Sequence, residues 1–525
     1  MVYELMAAAS AKSTPLKATW NECVGAGRAH EGLRANWLEQ LKLAVDTCGF
    51  RYIRFHGLLH DEMFVYKEVN GQPVYNWQYI DELFDRLLDA GIRPFVELGF
   101  MPNDLASAEG YQFWWKGNVT PPKSDEKWQG LIDAMIRHWI SRYGVDEVLT
   151  WYFEVWNEPN LNGFWKGTRS EYFHLYKITV QAIKAIHPYL RVGGPSTSNF
   201  VPDDRFDSER EDRSRHTTFT SPNIDEADWR PVWMEAFLDF CKVEGLPVDF
   251  VCTHPYPTDW ALDGTGTGRN YSRTVDATRR DLERLGDILR NSAYPDAEMH
   301  LTEWSSTPSP RDHGHDYLPA AAYIVKVNLD TADLTDSLSY WVFTDVFEES
   351  GAGDSIFHGG FGMINFQGIV KPVYHGYRFL NKLGREELAR CDKGIVTRHP
   401  SSGKLSALLY HYDEQAVPTA VPNAVVREQA EATQAMGSKA ILRLTLQDLA
   451  PGAAFTIETI DEDNGFAIPA WKAMGSPEPP TREQTQVLRG IASAGKKELI
   501  YANAEGILDL NLHLSPWSLV SVNEM

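Results

Sequence analysis

The 525-residue chain has little cysteine, little surplus positive charge and no long apolar run. Its five cysteines, Cys23, Cys48, Cys241, Cys252 and Cys391, are odd in number, scattered and never in C-x-x-C spacing. That pattern argues against both a disulfide framework and a zinc site. Lys and Arg total 50 against 72 Asp and Glu, a formal net charge of −22. Such a surface repels phosphate backbones and anionic lipid, so nucleic acid and polyanions are poor partners. No stretch is apolar for long enough to span a bilayer. The opening MVYELMAAASAKSTPLK has no basic segment followed by an apolar core, and Glu4 interrupts what there is. The expectation is a cytoplasmic protein, with export by another route and homo-oligomerisation both left open.

Aromatic residues are plentiful, with 17 Trp, 22 Tyr and 24 Phe. Most belong in cores, but sugars present flat C–H faces that stack on such rings, which tilts the reading toward a carbohydrate ligand. The length exceeds what one core usually supports, so two or more domains are expected.

Between about residues 20 and 384, short apolar runs alternate with amphipathic helical segments. The strand candidates are 23–25, 52–57, 94–100, 148–156, 191–196, 248–254, 298–304 and 337–344. Most are continuously apolar, as parallel strands covered on both faces should be. In 125–144, Trp128, Leu131, Ile132, Met135, Ile136, Trp139, Ile140 and Tyr143 form one helical stripe. In 78–90, Ile80, Leu83, Phe84, Leu87 and Leu88 do the same, with Gly91 as the stop. Eight strand–helix units predict an α/β fold, a (β/α)₈ barrel of the triosephosphate-isomerase type, over residues 15–384. A doubly wound open sheet is the alternative. From 385 to 525 the segments 405–412, 440–446, 454–460 and 508–514 alternate or are β-branched, which predicts an accessory antiparallel β-sandwich. A helix is expected at 481–492, starting at Thr481 with Glu483 close behind. Internal repeats and low-complexity tracts are absent from the sequence.

In a parallel barrel, chemistry sits at the C-terminal strand ends. The fourth candidate strand runs out in Trp156-Asn157-Glu158-Pro159-Asn160, the seventh in Leu301-Thr302-Glu303-Trp304. Each places a carboxyl at the rim, and for Glu158 partial desolvation by tryptophan favours the neutral acid. One protonated and one ionised rim carboxyl are what glycoside hydrolysis needs: an acid for the departing oxygen and a carboxylate for the anomeric carbon. A lone Glu at a strand end more often sits in a salt bridge. Two, on strands four and seven, are harder to read that way.

The strings WNEPN (156–160) and LTEW (301–304) resemble the glycoside hydrolases whose catalytic carboxyls lie on strands four and seven. YIRFHGLLHDEM (52–63), FVELGFMP (95–102), SYWVFTDVFEE (339–349) and FHGGFGMI (357–364) resemble glycoside hydrolase family 39, which holds β-xylosidases and α-L-iduronidases. The resemblance covers the whole barrel in order and extends weakly into the β domain, to which the first 14 residues would add a strand. It implies Glu158 as acid/base, Glu303 as nucleophile and Asn157 as partner of the sugar 2-hydroxyl. It further implies that His254 and Tyr256 support the nucleophile and the sugar, and that Trp341 is a platform under the ring. Glu348 and Glu349 would receive hydroxyls, His56 would reach the same pocket, and Arg54 would lie buried near the nucleophile.

The resulting expectation is a retaining, exo-acting β-xylosidase that needs neither metal nor cofactor. α-L-Iduronidase-like or α-L-arabinosidase activity, or an inactive carbohydrate-binding relative, are the alternatives. An iduronide carries a carboxylate and calls for Lys or Arg, whereas the sixth strand ends in His254-Pro255-Tyr256-Pro257. Three further features are read as structural. Gly25-Ala26-Gly27 is a tight turn rather than a dinucleotide loop, because His30 stands where a third glycine is needed. His313, His315 and Asp316 are a polar loop rather than a metal site. The mixed charges of 203–216 form a solvated insertion beside the site.

Overall fold

The computed structural model describes residues 2–212, 227–262 and 268–525. Eight parallel strands close a barrel: β1 (Cys23–Arg28), β2 (Tyr52–His56), β3 (Arg93–Glu97), β4 (Tyr152–Glu154), β5 (Arg191–Ser198), β6 (Phe250–His254), β7 (Glu298–Trp304) and β8 (Ser337–Tyr340). Each pairs with the next, and Tyr340 pairs with Val24 to seal the ring. All eight coincide with expected runs. The fourth is shorter than its apolar run suggests, because Val145–Val148 is helical and pairing ends at Glu154.

The helices form where the apolar stripes predict them. Asp125–Tyr143 buries Trp128, Leu131, Ile132, Met135, Ile136 and Trp139, and the Ser124 hydroxyl accepts from Lys127 N at 3.3 Å to cap its start. Gln78–Asp89 buries Ile80, Leu83, Phe84 and Leu87.

Period-two alternation sorts each barrel strand into outward and inward residues. Val24, Ile53, Val96, Phe153, Val251 and Leu301 join the apolar cluster under the helices. Inward, Cys23, Tyr52, Phe95, Tyr152 and Phe250 plug the N-terminal end, with Phe95 stacked on Tyr152 at 4.7 Å. Two residues further along, the inward positions become Arg54, Glu97, Glu154 and Thr302. One more step reaches His56 and His254. The barrel is thus sealed below by aromatics and polar above.

Gly25 and Gly27 lie within β1, not in a turn. A Cβ on Gly25 would stand 2.4 Å from the Trp341 ring, and one on Gly27 would meet Glu31 at 2.2 Å. Close packing rather than chain reversal explains these glycines.

Six C-terminal strands and the N-terminal Thr14–Pro15 form an antiparallel seven-stranded sheet facing a three-stranded one. Leu405, Ala407, Leu409, Leu442, Leu444, Ile457 and Val522 fill the space between them. Ile395, Leu408, Tyr410 and Leu519, from the larger sheet, join the barrel's apolar cluster, so this sheet buttresses the barrel. The N-terminal strand Val2–Ala8 adds to the smaller sheet, but parallel to Ala440–Gln447. The helix Arg482–Ser493 is capped by Thr481, whose reciprocal partner is Gln484 rather than Glu483.

Candidate active site

The centre of the site is Arg54, fully buried on β2. Its Nε donates to Glu154 at 2.5 Å, Nη1 to Glu303 at 2.6 Å and Nη2 to Asn157 Oδ1 at 2.8 Å. Nη2 also lies 3.0 Å from Glu97. One guanidinium therefore ties strands two, three, four and seven together and offsets the burial of three carboxylates.

Glu158 lies four residues past the end of β4, in a loop rather than on the strand. Trp156 and Glu158 take positive φ, 74° and 44°, a costly conformation for non-glycine residues that surrounding contacts must hold. Those contacts run to β5: Glu158 N to Ser196 O at 2.8 Å, Ser198 N to Asn160 Oδ1 at 2.8 Å, and Asn160 Nδ2 to Ser198 O at 3.1 Å.

Glu303 reaches the site by a different device. Strict alternation would turn it outward beside inward-facing Thr302. The β7–β8 register slips between Leu301 and Trp304, so three steps on β7 face two on β8. Such an irregularity re-aims a side chain. Both Thr302 and Glu303 consequently bond within the barrel.

His56, Glu158, Tyr256, Glu303, Trp341 and Glu349 line one cavity of about 250 Å³, together with Arg205, Phe206, Phe164 and Phe361. Ligating atoms of Glu158, His254 and Glu303 lie within 4.8 Å of one another. Two carboxyls that close match the roughly 5–5.5 Å spacing of retaining glycosidases rather than the wider inverting arrangement.

A sequence profile for glycosyl hydrolases family 39 matches residues 3–508. The chain belongs to that family. A β-xylosidase of Geobacillus stearothermophilus is 37% identical over 507 residues, covering 95% of this chain and 91% of that protein. The crystal structure of a monomeric β-xylosidase from Caulobacter crescentus CB15 superposes with a TM-score of 0.84 at 33% identity, covering 99% of both chains. Human α-L-iduronidase is 25% identical over 484 residues, 86% of this chain and 67% of that protein.

In this family 39 glycoside hydrolase, electrostatics separate the two carboxyls. Burial pushes Glu158 up to about 7, against the pull of the Ser198 hydroxyl and of His56 and Arg54. Burial raises Glu303 as well, opposed by the positive charges of Arg54 and His56. Glu303 meets a guanidinium at 2.6 Å and accepts from Tyr256 Oη at 3.3 Å, whereas Glu158 meets the His254 Nδ1 at 2.9 Å. Burial lowers His254 to about 4, so that imidazole is neutral. Of the two carboxyls, Glu303 is the one that touches a fixed positive charge, which favours its ionised form. Burial works against a charged His56 too, but Glu97 at 2.6 Å and Glu349 at 3.4 Å hold it at about 10, as a cation. A metal dication among Glu158, His254 and Glu303 would meet Arg54 and His56 as two fixed positive charges.

Trp341 is buried against Gly25 and 4.9 Å from the His56 ring, with one side on the cavity. Asn157 Nδ2 is buried with no hydrogen-bond partner among the described residues, a donor left over for a ligand. His254 sits nearer the Glu158 carboxyl (2.9 Å) than that of Glu303 (3.8 Å), so it supports the former more than the latter. Glu348 departs from expectation: it turns away from the cavity and pairs with Arg34 at 2.6 Å and Arg28 at 3.0 Å. Two basic side chains hold it there, and Glu349 alone of the two lines the cavity.

Sequence reasoning missed Arg205 and Phe206. They lie in the stretch read as a solvated insertion, yet both are buried and line the cavity; residues 213–216 of that stretch fall outside the described residues. Arg205 chelates Asp203 through Nε and Nη2 at 2.7–3.0 Å. His313–Asp316 form a short helical turn in which Asp316 pairs with buried Lys371 at 2.7 Å.

Proposed function

We propose that this enzyme is a retaining, exo-acting β-xylosidase that removes xylose from the non-reducing end of short β-linked xylosides. The observation that carries the reading is the pair of carboxyls, Glu158 against His254 and Glu303 against Arg54, on one cavity of about 250 Å³. Glu303 attacks the anomeric carbon while Glu158 protonates the departing oxygen, leaving a covalent glycosyl-enzyme and a free alcohol. Oε1 of Glu303 is held by Arg54, so Oε2, on the longer Tyr256 bond, is the attacking oxygen. Glu158, now ionised, takes a proton from water. The resulting hydroxide displaces Glu303, and xylose leaves with its β configuration intact.

Substrate choice follows from what is neutral. The one cation on the cavity wall beyond His56, among the described residues, is Arg205, and Asp203 already compensates it. A substrate carboxylate would compete with Asp203 for that guanidinium, which disfavours an iduronide. A pentose without a charged substituent suits aromatic walls and Glu349 as hydroxyl acceptor. A panel of aryl xyloside, arabinoside, iduronide and glucoside, with the first product's anomer read by NMR, tests both parts. The xyloside should dominate and β-xylose should appear first; a dominant iduronide rate, or α-xylose first, sinks the substrate or the mechanism respectively.

The pH profile has a definite sign. The first step needs Glu158 protonated, and its carboxyl sits at about 7. Above that pH kcat/KM should fall about tenfold per unit, since kcat/KM reports the free enzyme. An alkaline limb near pH 5, where an ordinary carboxyl would put it, contradicts the assignment of Glu158 as the acid.

A further inference from the structure

Beneath the site lies a chain of hydrogen bonds whose direction can be deduced. Glu154 is fully buried; burial works against its charge, but Arg54 and its other partners hold its carboxyl below the usual range, and it is ionised. An ionised carboxylate only accepts. The 2.6 Å contact between Thr302 Oγ1 and Glu154 Oε1 therefore uses the threonine proton. Thr302 Oγ1 must then accept from its other neighbour, His254 Nε2 at 3.0 Å. Ser196, which also donates to Glu154 at 3.0 Å, stands 3.5 Å from the same ring nitrogen and can only accept there too. A neutral imidazole has one N–H. With it on Nε2, Nδ1 presents a lone pair to Glu158 Oε1 at 2.9 Å.

We propose that Thr302 is a positioning residue: by donating to Glu154 it fixes His254 as the Nε2–H tautomer, and His254 Nδ1 then accepts from Glu158 and holds it in the proton-bearing form the first step requires. The inference rests on Glu158 as acid/base and adds the device that keeps it loaded. Were the tautomer reversed, Nδ1–H would donate to Glu158 and stabilise its carboxylate instead. The proton has to leave this bond when the leaving group departs, so His254 parks it and does not deliver it.

Several charged or titratable groups surround the Glu158–His254 pair. Arg54 and His56 face it from β2, Glu97 from β3, Glu154 from β4 and Glu303 from β7. Tyr256 and Glu349 approach from the loops after β6 and β8, and the Asp203–Arg205 pair sits on the cavity wall. Thr302→Val leaves every one of them in place and removes only the hydroxyl of a side chain of the same shape.

The experiment is the kcat/KM profile on an aryl xyloside for wild type, Thr302→Val and Thr302→Ser. Thr302→Val should move the alkaline limb down by about one pH unit, roughly a tenfold loss at pH 8, with a smaller change on the acid side. Thr302→Ser should restore the wild-type limb. A Thr302→Val limb at the wild-type position, whatever the plateau rate, overturns the proposal. Neutron diffraction of the perdeuterated wild-type enzyme supplies a reading that needs no variant to fold. A deuteron on His254 Nε2 supports the relay; one on Nδ1 with Nε2 bare overturns it. The tautomer is read without reference to activity, so its failure is distinguishable from a failure of Glu158 as acid, which Glu158→Ala kinetics report.

Discussion

Glu303→Ala should lower turnover of an aryl β-xyloside by at least about 10⁴-fold while the protein stays folded. The size of the loss follows from what the residue does in the proposed mechanism. Without its carboxylate no covalent intermediate forms, and water at the vacated position lacks the fixed negative charge that offsets the developing oxocarbenium ion. Folding should survive because the carboxyl is a burden to the native state: it is buried, and burial pushes it toward neutrality. Arg54 loses one partner but keeps Glu154, Glu97 and Asn157. The space left by the carboxyl opens onto the sugar's α face. Azide supplied there should restore cleavage of an activated xyloside and give α-xylosyl azide, the inverted product. Circular dichroism checks the fold, and NMR of the azide adduct checks the face of attack. A variant with wild-type rates, or rescue yielding the β-azide, would remove Glu303 as nucleophile.

Much of this geometry was legible in the sequence because barrel physics constrains it. Apolar runs between amphipathic helices fix the strand count, and strand ends fix where chemistry sits, so Glu158 and Glu303 could be placed together; Arg54, His56 and His254 were added by the resemblance to family 39, not by pattern. The rest depended on features without a sequence signature. Thr302 and Glu303 are neighbours that alternation sends to opposite faces, and only the slipped register between Leu301 and Trp304 brings both inside. Glu348 and Glu349 are chemically identical and adjacent; which one faces the cavity is settled by Arg28 and Arg34, residues more than 300 positions away in the chain. Arg205 and Phe206 sit in a run of mixed charges that looks solvated, because nothing in its composition says that Asp203 neutralises Arg205. Gly25 reads as a turn until Trp341 is seen lying against it. The common cause is long-range: each depends on a partner that local pattern does not name.

Glu158→Ala should produce a loss that depends on the leaving group, and this dependence separates an acid/base from a residue that merely shapes the pocket. For xylobiose, whose departing alkoxide needs a proton, kcat/KM should fall about 10²–10⁴-fold, the usual span for general acid catalysis. For an aryl xyloside with a strongly acidic phenol the first step should barely slow, because that phenolate leaves unassisted. The second step still lacks its base, so glycosyl-enzyme accumulates and phenol appears as a burst. Azide, an anion that needs no base, should then relieve the slow step and yield β-xylosyl azide, the opposite anomer from the Glu303→Ala product. The alkaline limb near pH 7 should disappear from the kcat/KM profile of the activated substrate, since the group that titrates there is gone. A structural role predicts none of this: losses would be equal across leaving groups, no burst would appear, and azide would do nothing. The two variants therefore test one geometry from both faces of the sugar, with Glu303 leaving room for azide on the α face and Glu158 on the β face.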